Sequence, residues 1–144
     1  MTAQEMWDCY RRCEKVSADW TAWAFGDDSD TLAQLVLRGI KTATASAYPL
    51  YELEGEPLPQ AGEYSVILNS REEAVCVIRT EKVTICPFNQ IGQDQAWKEG
   101  EGDRSLESWR EVHRKFFSGE LEGLGFEFHE EMPVVCEEFV RVFP

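Results

Sequence analysis

The sequence predicts an α+β domain. Two β-branched runs flank a short polar turn, several segments carry apolar residues at spacings of three and four, and 43% of the 144 residues are hydrophobic, enough for one sizeable core with no reason to divide. The whole of 1–144 therefore reads as one domain, with residues 1–19 supplying a helix that packs on it. No apolar run approaches the roughly 20 residues of a membrane helix. The N-terminus also lacks the basic and apolar regions of a signal peptide, so the expected location is the cytoplasm, without a membrane partner.

Met1 to about Val16 reads as an amphipathic helix carrying Met6, Trp7, Cys9, Tyr10 and Cys13. An aromatic stretch with Trp20, Trp23 and Phe25 follows and is assigned to packing. Asp30 to Arg38 is a short helix with Ser29 or Asp30 as N-cap and Gly39 as its left-handed stop. From Lys41 onward a β-branched alternation predicts a strand. Pro49, Gly55, Pro57, Pro59 and Gly62 mark Tyr48 to Gly62 as a long connection. Glu63–Leu68 and Ala74–Ile85 form a hairpin across Asn69–Glu73, and Pro87 ends its second strand. Asn89–Lys98 and Ser105–Glu120 read as helices, and Val134–Phe143 as a final strand.

Five cysteines without a Cys-x-x-Cys pair suggest neither a disulfide framework nor a zinc ribbon. Cys76 and Cys136 are expected in the core, and Cys9 and Cys13, one turn apart, on the buried stripe of the first helix. The net charge of −13 repels a long phosphate backbone, which excludes long duplex nucleic acid as a partner. A small substrate, or a short RNA held in one locally basic cleft, survives that objection.

The segment Gly39-Ile40-Lys41-Thr42-Ala43-Thr44 places a lysine and a threonine directly after a helix stop. This Gly-x-Lys-x-x-Thr spacing resembles the signature of the ASCH-domain family, small β-barrel proteins of the PUA-like superfold. Trp23-Ala24-Phe25-Gly26-Asp27, Pro57-Leu58-Pro59, Cys76-Val77-Ile78, Pro87-Phe88-Asn89 and the stretch from Glu99 to His113 look like the longer bacterial members, so the resemblance covers the chain from about Trp20 onward. It implies a small mixed β-barrel flanked by helices and a link to RNA or nucleoside chemistry. In the ASCH proteins that hydrolyse acetylated cytidine, a lysine and a threonine of this motif work with a glutamate. Lys41 and Thr44 match the first two, while Arg79 stands where the glutamate would align and Ser46 where the motif ends in arginine.

A threonine hydroxyl becomes a nucleophile once a neighbouring base takes its proton, and a lysine of lowered pKa can be that base. Glu81, two residues beyond Arg79 on the same strand face, is the candidate third member of a catalytic set Lys41, Thr44 and Glu81. Alternatively, Arg79 facing Lys41 makes an anion site. Ser46, Tyr48, Trp23 and Arg104 then complete the expected ligand contacts, with an aromatic ring for base stacking and Arg104 near a helix start for a phosphate. The acids at Glu99, Glu101 and Asp103 resemble the opening of a calcium loop, but Arg110 occupies its twelfth position, which rejects an EF-hand. N-capping by Asp103 or Ser105, with Trp109 and His113 on one buried helix face, explains the segment better, and neither a metal nor another cofactor is expected.

No nucleophile elbow or dinucleotide fingerprint is present. The expected partner is a nucleoside, a nucleotide or a short single-stranded RNA, bound in a pocket around Lys41 and Thr44. The alternatives are a hydrolase in the same pocket, either an amidohydrolase or a ribonuclease, and an acidic interaction protein with no catalytic site. Oligomeric state is left open by the sequence.

Overall fold

The computed structural model describes residues 1–16 and 19–144. Thr2 starts the first helix through a reciprocal capping box with Glu5, and α1 runs over Ala3–Cys13. Its buried stripe is Met6, Trp7 and Tyr10; Cys9 is only half-buried and Cys13 exposed, because the bulkier aromatic residues take the core-facing positions. The aromatic stretch that follows is a strand, β1 (Trp20–Ala24). Helix α2 (Ser29–Leu37) begins one residue earlier than expected, capped by Asp28, and Gly39 (φ 77°) closes it.

β2 (Ala43–Ala47) leads directly into α3 (Tyr48–Glu54), where a connection without regular structure was expected. Pro49 falls in the first turn of α3, where its missing N–H costs nothing, and Gly55 supplies the left-handed end at φ 66°. The hairpin is β3 (Tyr64–Leu68) and β4 (Ala74–Pro87). After a 3₁₀ turn at Phe88–Gln90 come α4 (Gln93–Glu99), α5 (Leu106–Leu121), capped by Ser105, and β5 (Pro133–Phe143).

The strands make one mixed sheet in the order β1-β3-β4-β5-β2, a half-barrel in which only β1 and β3 run parallel. β4 serves two partners, pairing with β3 along its first half and with β5 from Val77 to its end, with register shifts near Val77 and Thr80 that let it bend. Alternation along β3 and β4 divides the core. Val66 and Val77 pack on α1, whereas Ile67, Cys76 and Ile78 pack on α2 with Phe139. A third cluster, around Phe88, Trp109, Phe117 and Met132, holds α4 and α5 against the far end of the sheet. Cys76 and Cys136 are buried, as their apolar neighbours predicted. No described helix is long and apolar enough to cross a membrane.

Trp7 is fully buried, stacks on Trp20 at 5.6 Å and packs against Tyr64. Trp7→Ala is expected to cost about 3–5 kcal/mol in urea denaturation. A loss below ~1 kcal/mol would show that α1 is not part of the cooperative core.

Candidate functional site

The site begins with how α4 ends. Gly100 turns left-handed (φ 73°) and lies so close to the chain after α2 that a Cβ would sit 2.8 Å from the Ile40 carbonyl oxygen. The Thr42 N–H donates to the Lys98 carbonyl at 2.7 Å. These contacts dock the last turn of α4 onto the Gly39–Thr42 segment and bring Glu99 to Lys41.

Lys41 is 1% exposed, and its Nζ donates to Glu101 Oε2 at 2.9 Å and lies 3.5 Å from Glu99 Oε1. Its Nζ also stands 5.2 Å from the centre of the Phe25 ring. Glu99, equally buried, accepts on Oε2 from the Trp109 indole at 2.6 Å and from Gln95 at 3.0 Å. Its Oε1 faces His113 Nε2 at 3.4 Å. Burial pushes the Glu99 carboxyl upward, but the Lys41 ammonium, His113 and Gln95 outweigh it and hold the group below the usual carboxylate range.

His113 Nδ1 stands 2.8 Å from the Trp109 carbonyl oxygen, which can only accept, so that nitrogen carries a proton. Its Nε2 meets a carboxylate, so both nitrogens are satisfied only in the imidazolium form. Burial pulls the His113 pKa down, but the hydrogen bond and charge of Glu99 outweigh it and raise the pKa above its ordinary value. Glu99, Glu101 and His113 also have cation-site spacing, with ligand atoms within 4.8 Å of one another. Lys41 already supplies the positive charge between the two carboxylates. Asp103 takes no part, since it caps the Ser105 N–H at 2.9 Å.

The cluster forms one wall of a cavity of ≈ 630 Å³ between the half-barrel, α5 and the Pro57–Pro59 segment. Trp23, Thr44 and Ser46 line this cavity with Lys41. The structure does not bring the other expected site residues there. Arg79 and Glu81 pair with each other at 2.6 Å on the surface, each at least 40% exposed, because side chains two apart on one strand face reach each other first. Arg104 stacks on Trp97 at 3.7 Å and donates to its carbonyl oxygen. Tyr48 is outside the lining, and Tyr51, one turn further along α3, lines the cavity instead, bonded to Ser46 Oγ at 2.7 Å.

The carboxylates beside Lys41 are thus Glu99 and Glu101 rather than Glu81. Sequence reasoning missed these contacts, as well as Tyr51 and Glu137. The signal for Glu99 was its position immediately before a glycine helix stop, ten residues ahead of Trp109. Five carboxylates, Asp27, Glu56, Glu63, Glu120 and Glu137, line the cavity beyond the cluster among apolar and hydroxyl side chains, and no arginine among the described residues reaches it. Burial, with Glu63 nearby, pushes the Glu137 carboxyl up to about 7.

The ASCH domain model matches residues 21–143, so the chain belongs to the ASCH domain family, which is thought to bind RNA. The structure is similar to that of an ASCH domain from Lactobacillus crispatus JV V101, with 37% identity and a TM-score of 0.91 over 99% of this chain and 94% of that one. It is also similar to protein EF3133 from Enterococcus faecalis V583, at 32% identity and a TM-score of 0.88, covering 98% and 88%. No curated protein matches the chain.

Removing the lysine alone strands a buried carboxylate. Lys41→Met is expected to cost about 3–5 kcal/mol, and adding Glu99→Gln to recover part of it, both read by chemical denaturation. A single-variant loss below ~1 kcal/mol would contradict the ionic description. For Glu137 the folded pKa lies above the ordinary carboxyl value of 4.5, so its destabilising effect is absent below about pH 4.5 and complete above about 7. Between pH 5 and pH 8, Glu137→Gln is therefore expected to gain ~2 kcal/mol relative to the parent. Equal differences at both pH values would show that Glu137 titrates normally.

Proposed function

We propose that the cavity binds a nucleoside, free or as one unit of a short single-stranded RNA, and leaves its phosphates outside. The observation that carries this reading is the charge of the lining. Lys41 and His113 are the cations of the lining, and both face carboxylates. A phosphate would enter among acids with no free cation to meet it, whereas a neutral base and ribose meet hydroxyls, carboxyls and aromatic rings. Trp23 and Phe25 offer ring surface, and Thr44, Ser46 and Tyr51 offer hydroxyls. The family's association with RNA fits this ligand class, and the volume exceeds that of one nucleoside.

A second reading, amide hydrolysis on N-acylated nucleosides, is supported by Lys41, Thr44 and two carboxylates lining the same cavity. Against it, Lys41 donates to Glu101, and no hydrogen bond joins it to Thr44 among the described residues. Release of the acyl group that disappears in Thr44→Val would favour this reading over simple binding.

Calorimetry with the four common ribonucleosides and their 5′-monophosphates tests the proposal. At least one nucleoside is expected to bind more tightly than its monophosphate, with affinity changing less than about threefold between 50 and 300 mM salt. Trp23→Ala is expected to weaken that binding about tenfold through lost stacking. Tighter, steeply salt-dependent binding of the monophosphates would overturn the reading.

A further inference from the structure

Glu137 lines the cavity apart from the Lys41 cluster. It lies within β5, opposite Thr44 on β2 and Val83 on β4. Its neighbour Glu138 points to the other face, where Lys98 meets it at 2.8 Å and Lys82 at 4.0 Å. Glu137 points into the cavity and, among the described residues, has no hydrogen bond or ion pair.

Among the described residues, none of the charged groups that act on it is a cation. Glu63, just before β3, and Tyr51 of α3 both act on it electrostatically, and Glu120 of α5 lines the same space. β2 and β4 oppose it with Thr44 and Val83, neither of which is charged. Lys41 and His113 are held by Glu99 and Glu101. A half-buried carboxylate without a protein donor among the described residues is served by water, and a ligand that fills the cavity and displaces that water must supply donors in its place.

We propose that Glu137 reads the base of the bound nucleoside, its two carboxylate oxygens accepting from two adjacent N–H groups of a guanine-type edge. This rests on the nucleoside reading above. Guanine alone among the common bases presents a ring N–H beside an exocyclic amine; adenine and cytosine put an acceptor beside the amine, and uracil sets carbonyl oxygens on either side of its N–H. A ring nitrogen acceptor or a carbonyl placed against the second carboxylate oxygen leaves two acceptors facing each other.

The geometry also sets the pH dependence. Accepting from two donors requires the ionised carboxyl, and burial holds Glu137 at about 7, so guanosine binding near neutral pH releases the Glu137 proton to solvent and strengthens as pH rises. From pH 6 to pH 8 the ionised fraction grows about tenfold, and guanosine affinity with it.

The test is calorimetry of guanosine, inosine, adenosine, cytidine and uridine at pH 6, 7 and 8, with the parent protein and the Glu137→Gln and Glu137→Asp variants. Guanosine is expected to bind at least tenfold tighter than inosine, which lacks the exocyclic amine, at pH 8. That advantage should shrink about tenfold by pH 6. Glu137→Gln should remove most of the advantage at pH 8 and flatten the pH profile, and Glu137→Asp, which keeps the charge, should retain the rise with pH. Nucleosides that bind without a guanosine preference, a preference that survives Glu137→Gln, or guanosine binding that weakens as pH rises would overturn the inference and leave the nucleoside reading standing. Failure of every nucleoside to bind would overturn both.

Discussion

The ammonium of Lys41 lies in the interior, and the arrangement of the elements around it follows from that constraint. A buried cation without a partner costs several kcal/mol, so the segment after α2 folds this way only if a carboxylate is delivered to the same point. Two glycines at positive φ make the delivery possible. Gly39 frees the chain from α2 one residue before Ile40, and Gly100 ends α4 against the Ile40 carbonyl with no room for a side chain. Trp109 and His113, one turn apart on α5, then close over Glu99, with rings stacked at 4.0 Å. The loop, the short helix and the long helix are tied together by one set of charges whose members lie up to 72 residues apart, from Lys41 to His113.

Such a cluster is weak as a device for stability. A buried ion pair often does no better than apolar residues of the same volume, because desolvation consumes most of the attraction. Here the charges form a cavity wall. Glu99 has both oxygens engaged and Lys41 contacts two acids, so the cluster presents a rigid, nearly neutral surface instead of a free cation. The rest of the lining sets five further carboxylates among aromatic, apolar and hydroxyl side chains. On the nucleoside reading, that combination disfavours anions while holding polar groups in fixed positions, as recognition of an uncharged, hydrogen-bonding ligand requires.

What was legible in the sequence was local. The Gly39 stop, the β3–β4 hairpin and α5 follow from spacing within a few residues, and the Lys41 and Thr44 pattern pointed to the lysine at the centre of the cluster. The partner of Lys41 was not legible, because nothing in the local pattern reveals that the end of α4 docks onto Gly39–Thr42. Arg79 and Glu81 share a strand face as expected, but that closeness lets them satisfy each other in solvent. α3 was hidden by its own punctuation: Pro49 and Gly55 read as breakers, whereas one sits in a helix's first turn and the other just past its end. At Glu137-Glu138 a strand pattern with two adjacent acids gives no hint which one faces inward, since alternation fixes only that they differ.

These two glutamates show how one strand divides the electrostatics of the protein. Outward, Glu138 is met by Lys98 and Lys82, and its charge is compensated on the surface. Inward, Glu137 faces a space where the cations are already engaged. The cavity therefore has a saturated end at Lys41 and an unsaturated end at Glu137. On the proposed reading, a ligand gains little by offering charge to the first and most by offering donors to the second. On that proposal, discrimination arises from the cost of a mismatched ligand that desolvates Glu137 without pairing it, and that cost grows as the ligand fills the cavity and excludes water. Selectivity built this way needs no cationic groove, which makes it compatible with a chain of net charge −13.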